Sequence, residues 1–410
     1  MQEVSGEITE NTLWAADTIL VTGDIFVAAG IQLQIGSGVR VEFADYYSLQ
    51  VSGSIMAEGT AAERIIFTSA NSEYFSIDAS HRSAWNGIRF PFTSALQDSS
   101  VFRYCVFEYA KATLDTAQAG AVISVNNFSR LKVENSIFRN NVADRGGAIA
   151  CRTMSQPEVI NNLFYENYCL LTGVVFYNEY SYPLLLNNTM TANYSLNEDV
   201  WMPACPLTNL FSKPRLYNNI IWANETAYFL DGEIFEPRPY YYGINAIEQE
   251  LNPENIFLDP ELTADFSLSY SSPCLDAGMD EYSFILPETD LAGNDRYAGS
   301  HIDLGCYEYQ TIDNDIANLN EMKLNIYPNP FNPAAAISYF LEDETDVRLE
   351  IYNLRGQHVR SKEIKRQAIG KHEIVWLGED DRGEKVAAGV YVFCLKTRFM
   401  SSTIKGILLK

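Results

Sequence analysis

Hydrophobic and polar residues repeat with a nearly fixed spacing along the middle of the chain. Four nine-residue phrases share one pattern, in which an Asn is followed three positions later by an apolar residue and six positions later by a second Asn. The phrases are VENSIFRNN at 133–141, VINNLFYEN at 159–167, LLNNTMTAN at 185–193 and LYNNIIWAN at 216–224, so they recur at intervals of 26, 26 and 31 residues. This period indicates an array of stacked units, because a unit so short cannot bury its own apolar face.

The residues within this unit favour a parallel β-helix over the other repeat architectures. The unit is too short for a propeller blade and lacks helical periodicity, and the remaining alternatives are leucine-rich repeats, helical hairpin arrays and parallel β-helices. Each copy is rich in β-branched and aromatic residues and is interrupted by Asn and Gly, as in short strands joined by bends. A Gly-led phrase begins at Gly120, Gly147 and Gly173 with a similar period. Upstream, apolar and polar residues alternate over 31–35 and 39–43, which predicts further strands.

Stacking such coils in register places equivalent residues in columns about 4.8 Å apart. One apolar column, predicted to lie inside the coil, contains Phe107, Phe138, Phe164, Met190 and Ile221. The first Asn of each phrase, at positions 135, 161, 187 and 218, forms a second column, whose amides can hydrogen-bond from coil to coil. The repetition predicts a structural role for these Asn residues, because catalysis does not require four copies of one residue.

The last quarter of the chain differs in composition from the repeats. Residues 311–320 are polar and acidic, which predicts a linker between a first unit, 1–310, and a second unit, 321–410. In the second unit, apolar and polar residues alternate over 347–351, and a later apolar run covers 389–393. This pattern predicts a small β-sandwich of the immunoglobulin-like kind, so that the whole chain is expected to be all-β.

The opening coils resemble a known family. The phrases VTGD at 21–24, AEGT at 57–60 and WNGI at 85–88 are similar to the first coils of bacterial right-handed parallel β-helix proteins of the pectate-lyase-like superfamily. The resemblance implies a right-handed β-helix solenoid over residues 1–310.

The end of the first unit resembles the terminal segment of the choice-of-anchor Q group. The phrases that carry this resemblance are SPCLDAG at 272–278, DLAGN at 290–294 and DLGCYE at 303–308. That group attaches β-helices to varied surface-sorting tails. The resemblance implies a capping segment near 266–309 that ties down the open end of the solenoid.

The second unit resembles the type A C-terminal sorting domain of the type IX secretion system over nearly its whole length. The phrases that carry it are YPNPFNP at 327–333, IYNLRGQ at 351–357, HEIVW at 372–376, AAGVY at 387–391 and the terminal Lys410. The resemblance implies that type IX secretion machinery recognises residues 321–410 and delivers a secreted or cell-surface protein across the bacterial outer membrane. Such export needs a signal peptide; Met1 is followed at once by polar, acidic residues, and we expect the signal peptide to have been trimmed.

The charge of the chain narrows the classes of partner. The net charge is −24; residues 321–410 hold 14 Lys and Arg against 12 Asp and Glu, and subtracting these from the totals of 29 and 53 leaves 15 against 41, or −26, before residue 321. This excess argues against nucleic acid and anionic membranes, whose charges would be repelled. No apolar run in the sequence approaches the length of a transmembrane segment.

The seven cysteines suggest neither a disulfide framework nor a zinc site. They are scattered and have no CxxC spacing, and we interpret Cys105, Cys151 and Cys169 as small apolar fillers. Cys306 departs from the choice-of-anchor Q pattern, which leaves a disulfide with Cys274 open. The four His residues are isolated, so the sequence predicts no metal site and no cofactor, with calcium considered only for the case that the solenoid is a lyase.

An outward column beside the apolar one supplies the first candidate site. It contains Glu108, Arg139, Tyr165, Thr191 and Trp222, and its chemistry changes at each coil. A mixed acidic, basic and aromatic stripe can bind a glycan by stacking and hydrogen bonding. The alternative is a solvated face with an ion pair between Glu108 and Arg139.

Asp144 and Arg145 form the second candidate, at a bend beside a strand. Arg145 can act as a base only with a lowered pKa and with calcium-binding carboxylates nearby, and a plain turn is the alternative.

Two further groups of residues attract attention in the sequence. Asp276, Asp290, His301 and Asp303 suggest either a metal site or a capping role. Large aromatic residues in the longer insertions, where solenoids often place binding loops, are Trp201 with Met202 and the three tyrosines at 240–242.

These observations favour an exported binding or adhesive module that binds extracellular polysaccharide. A polysaccharide lyase or glycoside hydrolase on the β-helix face is the enzymatic alternative, and it rests on fold analogy alone. The third alternative is a structural spacer. The sequence favours a function without catalysis, because no dense group of carboxylates or basic residues accompanies the repeats.

Overall fold

The computed structural model describes residues 1–91, 93, 98–114, 119–128, 130–196, 205–224, 246–247, 256, 258–310, 324–341, 345–353, 355–397 and 401–409. The chain divides into two compact units, Met1–Gln310 and Thr311–Lys410. Stacked parallel strands build the first unit and antiparallel sheets build the second, which confirms the predicted solenoid followed by an immunoglobulin-like domain.

Each coil of the first unit contributes strands to as many as four stacks, numbered here faces 1 to 4 in the order in which the chain reaches them. Face 1 contains Thr12–Trp14, Gln32–Ile35, Ser54–Glu58, Ser100–Arg103, Leu131–Glu134, Glu158–Ile160, Leu184–Leu186 and Arg215–Tyr217. Face 2 contains the first half of Thr18–Val27, then Arg40–Phe43, Ile65–Ser69, Cys105–Glu108, Ile137–Arg139, Leu163–Tyr165, Thr189–Thr191, Ile220–Trp222 and Ala246–Ile247. Face 3 is shorter and contains Lys111–Ala112, Val142–Arg145, Tyr168–Thr172 and Tyr194–Ser195.

Face 4 completes the coil. It contains the second half of Thr18–Val27, then Leu49–Val51, Ile88–Phe90, Ile123–Asn126, Ile149–Arg152, Phe176–Glu179 and Leu207–Leu210. The strand Gln2–Ile8 pairs with Thr18–Val27. Two short 3-10 helices, Ser72–Tyr74 and Asp280–Ile285, lie outside the stacks, and among the described residues there is no helix with the length and apolar character needed to cross a membrane.

Left-handed backbone conformations make the bend between faces 1 and 2. Asn135, Asn161, Asn187 and Asn218 occupy this bend with φ between +46° and +61°. Asn tolerates such angles better than other residues with a Cβ, because its short polar side chain can hydrogen-bond locally. The bend therefore explains why the first Asn of each repeated phrase recurs.

The Gly-led phrase aligns one residue differently from the sequence prediction. The strands pair Ile123 with Ile149, so Gly120 is equivalent to Gly146 and not to Gly147. Gly120 and Gly146 both have positive φ, +75° and +70°, and a Cβ at either position would come within 3 Å of backbone atoms. The register is therefore set by the left-handed bend, where only Gly fits.

The predicted apolar column lies inside the solenoid. The rings of Phe107, Phe138 and Phe164 stack with 4.7 Å between successive centroids, and Met190 and Ile221 continue the column in register. All five side chains are buried. The prediction of one internal column is confirmed.

The second Asn of each phrase forms a continuous buried ladder. The Nδ2 of Asn141 donates to the Oδ1 of Asn167 at 2.9 Å, that of Asn167 to Asn193 at 2.9 Å, and that of Asn193 to Asn224 at 2.8 Å. Each amide also donates to a strand carbonyl of the preceding coil, as Asn167 does to Phe138 at 2.9 Å. The ladder satisfies polar groups that the bend would otherwise leave unpaired inside the core.

Residues 258–310, called the strap below, run along the side of the solenoid at the first Asn column. Asn135 donates to the carbonyl of Thr289 at 3.2 Å, and Asn187 donates to that of Asp303 at 2.9 Å. Arg64, several coils earlier, donates to the carbonyl of Leu291. The hydrogen-bond partners of this segment therefore lie along the flank of the solenoid, and its capping of the open end stays a prediction.

One column of face 1 changes from charged to apolar residues where the strap covers it. On face 1, Glu58, Arg103 and Glu134 are followed in the same column by Ile160 and then by apolar residues of the later coils. The covered group is Ile160, Leu184, Leu186 and Tyr217, against Tyr282, Ile285 and Leu286 of the strap. The column is thus charged in the earlier coils and apolar where the strap packs on it.

The second unit has two antiparallel sheets around a shared core. One sheet contains Leu324–Tyr327, Ala335–Leu341 and Gly370–Trp376, and the other contains His358–Gln367, Thr345–Asn353, Gly389–Lys396 and Ser401–Leu408. Phe331 is buried, with its ring 5.7 Å from Trp376 and 6.3 Å from Phe393. The apolar alternation over 347–351 faces this core, as the sequence predicts.

Candidate functional site

Glu108, Arg139 and Tyr165 are neighbours in one outward column of face 2, and we call them the Arg139 cluster. The Oε2 of Glu108 accepts from the Nε and Nη2 of Arg139 at 2.9 and 2.7 Å, and its Oε1 accepts from Thr68 at 3.1 Å. The Nη1 of Arg139 donates to the hydroxyl of Tyr165 at 3.1 Å. The three side chains therefore form one connected network.

The electrostatics of this cluster keep Arg139 charged. Burial disfavours the guanidinium, but the hydrogen bonds to Tyr165 and Glu108 outweigh it, so the pKa of Arg139 lies above its ordinary value. The Glu108 side chain is buried, whereas 40% of the Arg139 side chain is exposed. Arg139 can therefore offer its remaining N–H groups to a ligand, but it cannot act as a proton acceptor near neutral pH.

Partly exposed tyrosines lie beyond the cluster, at the bend that follows face 2 and on face 3. Tyr109 and Glu166 follow face 2 at equivalent left-handed positions, with φ of +62° and +51°. On face 3, the rings of Tyr168 and Tyr194 stack with centroids 5.4 Å apart. The surface beside Arg139 thus combines one cation, a carboxylate and several tyrosine rings.

The strap covers part of the predicted column. The ring of Phe266, from the strap, lies 4.8 Å from that of Tyr165. Trp222 pairs in register with Thr191, as the column requires, and packs against a cluster that includes Leu268 of the strap. The sequence places these side chains in one column but does not reveal this cover.

Asp144 and Arg145 lie in the strand Val142–Arg145, which has an irregular register, so the plain turn considered for them is wrong. The carboxylate of Asp144 accepts from the backbone N–H of Leu114 at 3.1 Å. The guanidinium of Arg145 lies 5.8 Å from the ring centroid of Tyr177. These contacts separate Asp144 and Arg145 from the Arg139 cluster and give each a local structural partner.

The acidic residues of the strap bind backbone groups. Asp303 accepts from the N–H of Asp276 at 2.6 Å and from that of Tyr309 at 2.7 Å, and Asp290 accepts from the N–H of Glu308 at 3.1 Å. Across the described residues, His, Cys, Asp and Glu side chains form no group of three suited to a metal ion. The acidic residues of the strap therefore hold its backbone in place through these hydrogen bonds.

Cys274 and Cys306 are both buried and free, so the disulfide considered between them is absent. Each is a strap residue that packs in an apolar cluster, Cys274 with Ile220 and Cys306 with Leu163. The other cysteines are also free thiols.

The strap contains a buried ion pair that makes its stability depend on pH. The carboxylate of Glu308 lies 3.7 Å from the guanidinium of Arg296, and both side chains are inaccessible to solvent. Burial raises the pKa of Glu308 to about 7, despite the nearby Arg296, and burial also raises the pKa of Asp303. Both carboxyl groups therefore bind protons more tightly in the folded state than in the unfolded state.

We expect the free energy of unfolding to fall as pH rises from about 4.5 to 7 and to level off above 7, where Glu308 is ionised in both states. The loss attributable to Glu308 is about 3 kcal/mol at most. Thermal melts of the full chain between pH 5 and pH 8 measure it. Glu308→Gln keeps an acceptor for the backbone and should flatten the profile; an equal slope in this variant would assign the pH dependence to other groups.

Sequence reasoning missed one exposed group, which we call the ridge: Met154, Tyr180 and Phe211. They lie at the bend between faces 4 and 1 and are 56%, 52% and 63% exposed. The rings of Tyr180 and Phe211 stack with centroids 4.9 Å apart and an interplanar angle of 11°. Their intervals of 26 and 31 residues repeat those of the Asn columns, and this was the signal available in the sequence. Trp201, Met202 and residues 240–242 lie outside the described residues.

Comparisons with known proteins find similarity over parts of the chain. A family profile described as "FlgD Ig-like domain" matches residues 333–398, within the second unit. A search of curated proteins found no match.

Among solved structures, two from Porphyromonas gingivalis are similar to parts of the chain. Dimeric latent PorU is 23% identical, with a TM-score of 0.20, over 22% of this chain and 9% of its own length. PorZ, titled an essential bacterial surface component of the type-IX secretion system, is 20% identical, with a TM-score of 0.17, over 21% of this chain and 11% of its own length. The chain thus spans about a tenth of the length of either protein.

Proposed function

We propose that the chain is a secreted or cell-surface binding module whose β-solenoid binds extracellular polysaccharide, with an adhesive role. The Arg139 cluster is the observation that carries this proposal. It offers an exposed guanidinium held in place by Glu108 and bordered by tyrosine rings, an arrangement that suits sugar hydroxyls and the apolar faces of sugar rings. The flanking tyrosines at 109, 168 and 194 extend this surface around the solenoid.

The same cluster is poorly suited to the enzymatic alternative, a polysaccharide lyase or a glycoside hydrolase. A hydrolase needs a second carboxyl group facing the first across the scissile bond, whereas both oxygens of Glu108 are hydrogen-bonded to Thr68 and Arg139. A lyase needs a base, and the raised pKa of Arg139 keeps it protonated. Calcium enters the proposal only with the lyase, where it would bridge the acidic solenoid and an acidic polysaccharide.

We expect Arg139→Gln to weaken polysaccharide binding about tenfold, because it replaces the charged donor by a shorter, neutral amide. Isothermal titration of the full chain against acidic and neutral polysaccharides, with and without calcium, measures the affinity. Assays for new reducing ends and for unsaturated products run on the same samples. Release of either product would favour the enzyme over the binding module.

Arg103→Gln is the matched control. Arg103 has the same exposure as Arg139, 39% against 40%, and makes the same two-nitrogen contact with a buried carboxylate, Glu134, on face 1. Its replacement should leave the affinity unchanged. Equal losses in the two variants would point to a general charge effect, and absence of binding in the unaltered chain would leave the spacer as the better account.

We further propose that residues 321–410 are the address for type IX secretion machinery and that the strap is the anchor-Q-type segment joining the solenoid to it. The support is the set of ordered phrases from 327–333 to Lys410, together with the sandwich that the described residues of this unit build. In that sandwich the first phrase is used structurally: Asn329 holds the last strand through the N–H of Ile407 at 3.0 Å and the carbonyl of Lys405 at 3.1 Å.

A further inference from the structure

The ridge is costly for folding in two independent ways. Met154, Tyr180 and Phe211 have φ of +63°, +49° and +51°, a backbone region that large side chains avoid and that Asn fills at the bend between faces 1 and 2. Each also exposes more than half of a large apolar side chain to water. Because neither choice stabilises the solenoid, the pattern points to a function on this surface.

The aromatic residues of the ridge repeat from coil to coil. Tyr180 and Phe211 occupy the same position in consecutive coils, and their nearly parallel rings are 4.9 Å apart. The rings stack on each other, so the parts that reach solvent are their edges and their outer faces. The two rings therefore offer neighbouring apolar contacts along the solenoid axis.

The charges beside the ridge select the class of ligand. Arg152 and Glu179, which immediately precede the bend in successive coils, form an ion pair of 3.5 Å. The pair supplies donors and an acceptor with no net charge. Because Glu179 is paired with Arg152, it offers a cationic ligand no free counter-charge, and the net charge of −26 before residue 321 opposes a polyanion.

We propose that the ridge binds a neutral glycan chain laid along the solenoid axis. Successive sugar rings contact Tyr180 and Phe211 through their C–H faces, and hydroxyl groups hydrogen-bond to Arg152 and Glu179. The class of ligand rests on the proposed function, but the surface is separate from the Arg139 cluster and lies at a different bend.

Asn substitutions test this directly. Tyr180→Asn and Phe211→Asn remove the rings and place at each bend the residue that the left-handed backbone favours. Titration of the full chain with cellohexaose, mannohexaose and laminarihexaose should show binding of at least one, with Kd raised about tenfold by either variant and more by both. The Tm should be unchanged or higher. Phe284→Asn, which alters an 81%-exposed aromatic residue of the strap, should leave Kd unchanged.

Each of the other outcomes would contradict the proposal that the ridge binds a neutral glycan. If the hexasaccharides do not bind but polygalacturonate does, and Arg139→Gln weakens it, the ridge proposal fails while the proposed function stands. If no polysaccharide binds, both fail. A lower Tm that accompanies the weaker binding would assign a structural role to the rings. Self-association in sedimentation that the two variants abolish would make the ridge a contact between copies of this chain.

Discussion

Replacing Asn167 by Ala should severely destabilise the solenoid. The side chain of Asn167 accepts from Asn141 and donates to Asn193, Phe138 and Tyr165 at 2.9 to 3.1 Å, all inside the core. Ala removes all four bonds, although Asn141 keeps the Phe107 carbonyl as an acceptor and Asn193 keeps the backbone N–H of residue 167 as a donor. The cost falls on one N–H of Asn141 and on the carbonyls of Phe138 and Tyr165, at about 1–3 kcal/mol each. The expected loss, roughly 3–6 kcal/mol, is a large part of the stability of a typical domain. Circular dichroism should record a fall in Tm on the order of 10 °C, or no soluble protein.

Asn71→Ala is the control for this prediction. Asn71 is exposed, and its hydrogen bond to Ser69 comes from the backbone N–H, which the substitution keeps. We expect a change within about 0.5 kcal/mol. If Asn167→Ala melts at the temperature of the unaltered chain, the amide ladder does not hold the coils together.

The sequence predicted the parts of the fold that repeat. Phe107, Phe138 and Phe164 share one period, and residues at equal positions in a stack of coils must meet. The spacing of the Asn residues predicts their stacking for the same reason, although the two Asn columns have different roles. The second Asn of each phrase forms the unbroken ladder. In the first column the coil-to-coil bonds join Asn135 to Asn161 and Asn187 to Asn218, and Asn135 and Asn187 also bind the strap.

The path of the strap could not be predicted, because it occurs once and its contacts span long distances in sequence. Arg64 meets Leu291 across 227 positions, and no spacing relates them. The cover over Tyr165 by Phe266 arises in the same way. The candidate column was therefore placed correctly in register, but the exposure of its members was not accessible from the sequence.

The ridge illustrates a signal that was present and unused. Tyr180 and Phe211 recur at the interval of the Asn columns, but periodic aromatic residues are normally assigned to the core. Only the backbone angles and exposure distinguish them from Phe138 and Phe164. A periodic aromatic residue directly before a buried Ser, as at Ser181 and Ser212, marks a bend in this solenoid and not a strand.

The second large effect is expected in export. Phe331→Ala should prevent the full chain, preceded by an export signal, from reaching the surface of a bacterium with type IX secretion. The Phe331 ring is buried beside Trp376 and Phe393, and its backbone pairs with the last strand through Ile407 and Leu409. Loss of a buried Phe costs about 3–5 kcal/mol, enough to unfold most copies of a domain this small. Surface labelling should fall at least about tenfold, to the level of a chain that ends at Gln310.

Phe340→Ala separates this effect from the loss of an aromatic ring as such. Phe340 belongs to the same unit but is 55% exposed, so its replacement should leave the domain folded and surface labelling unchanged. Proteolysis of the purified variants reports which of them keep the second unit folded. If the chain that ends at Gln310 reaches the surface as well as the full chain does, residues 321–410 are not the address. If Phe331→Ala is exported normally although its second unit is digested, the machinery reads a short linear segment and does not require the folded sandwich.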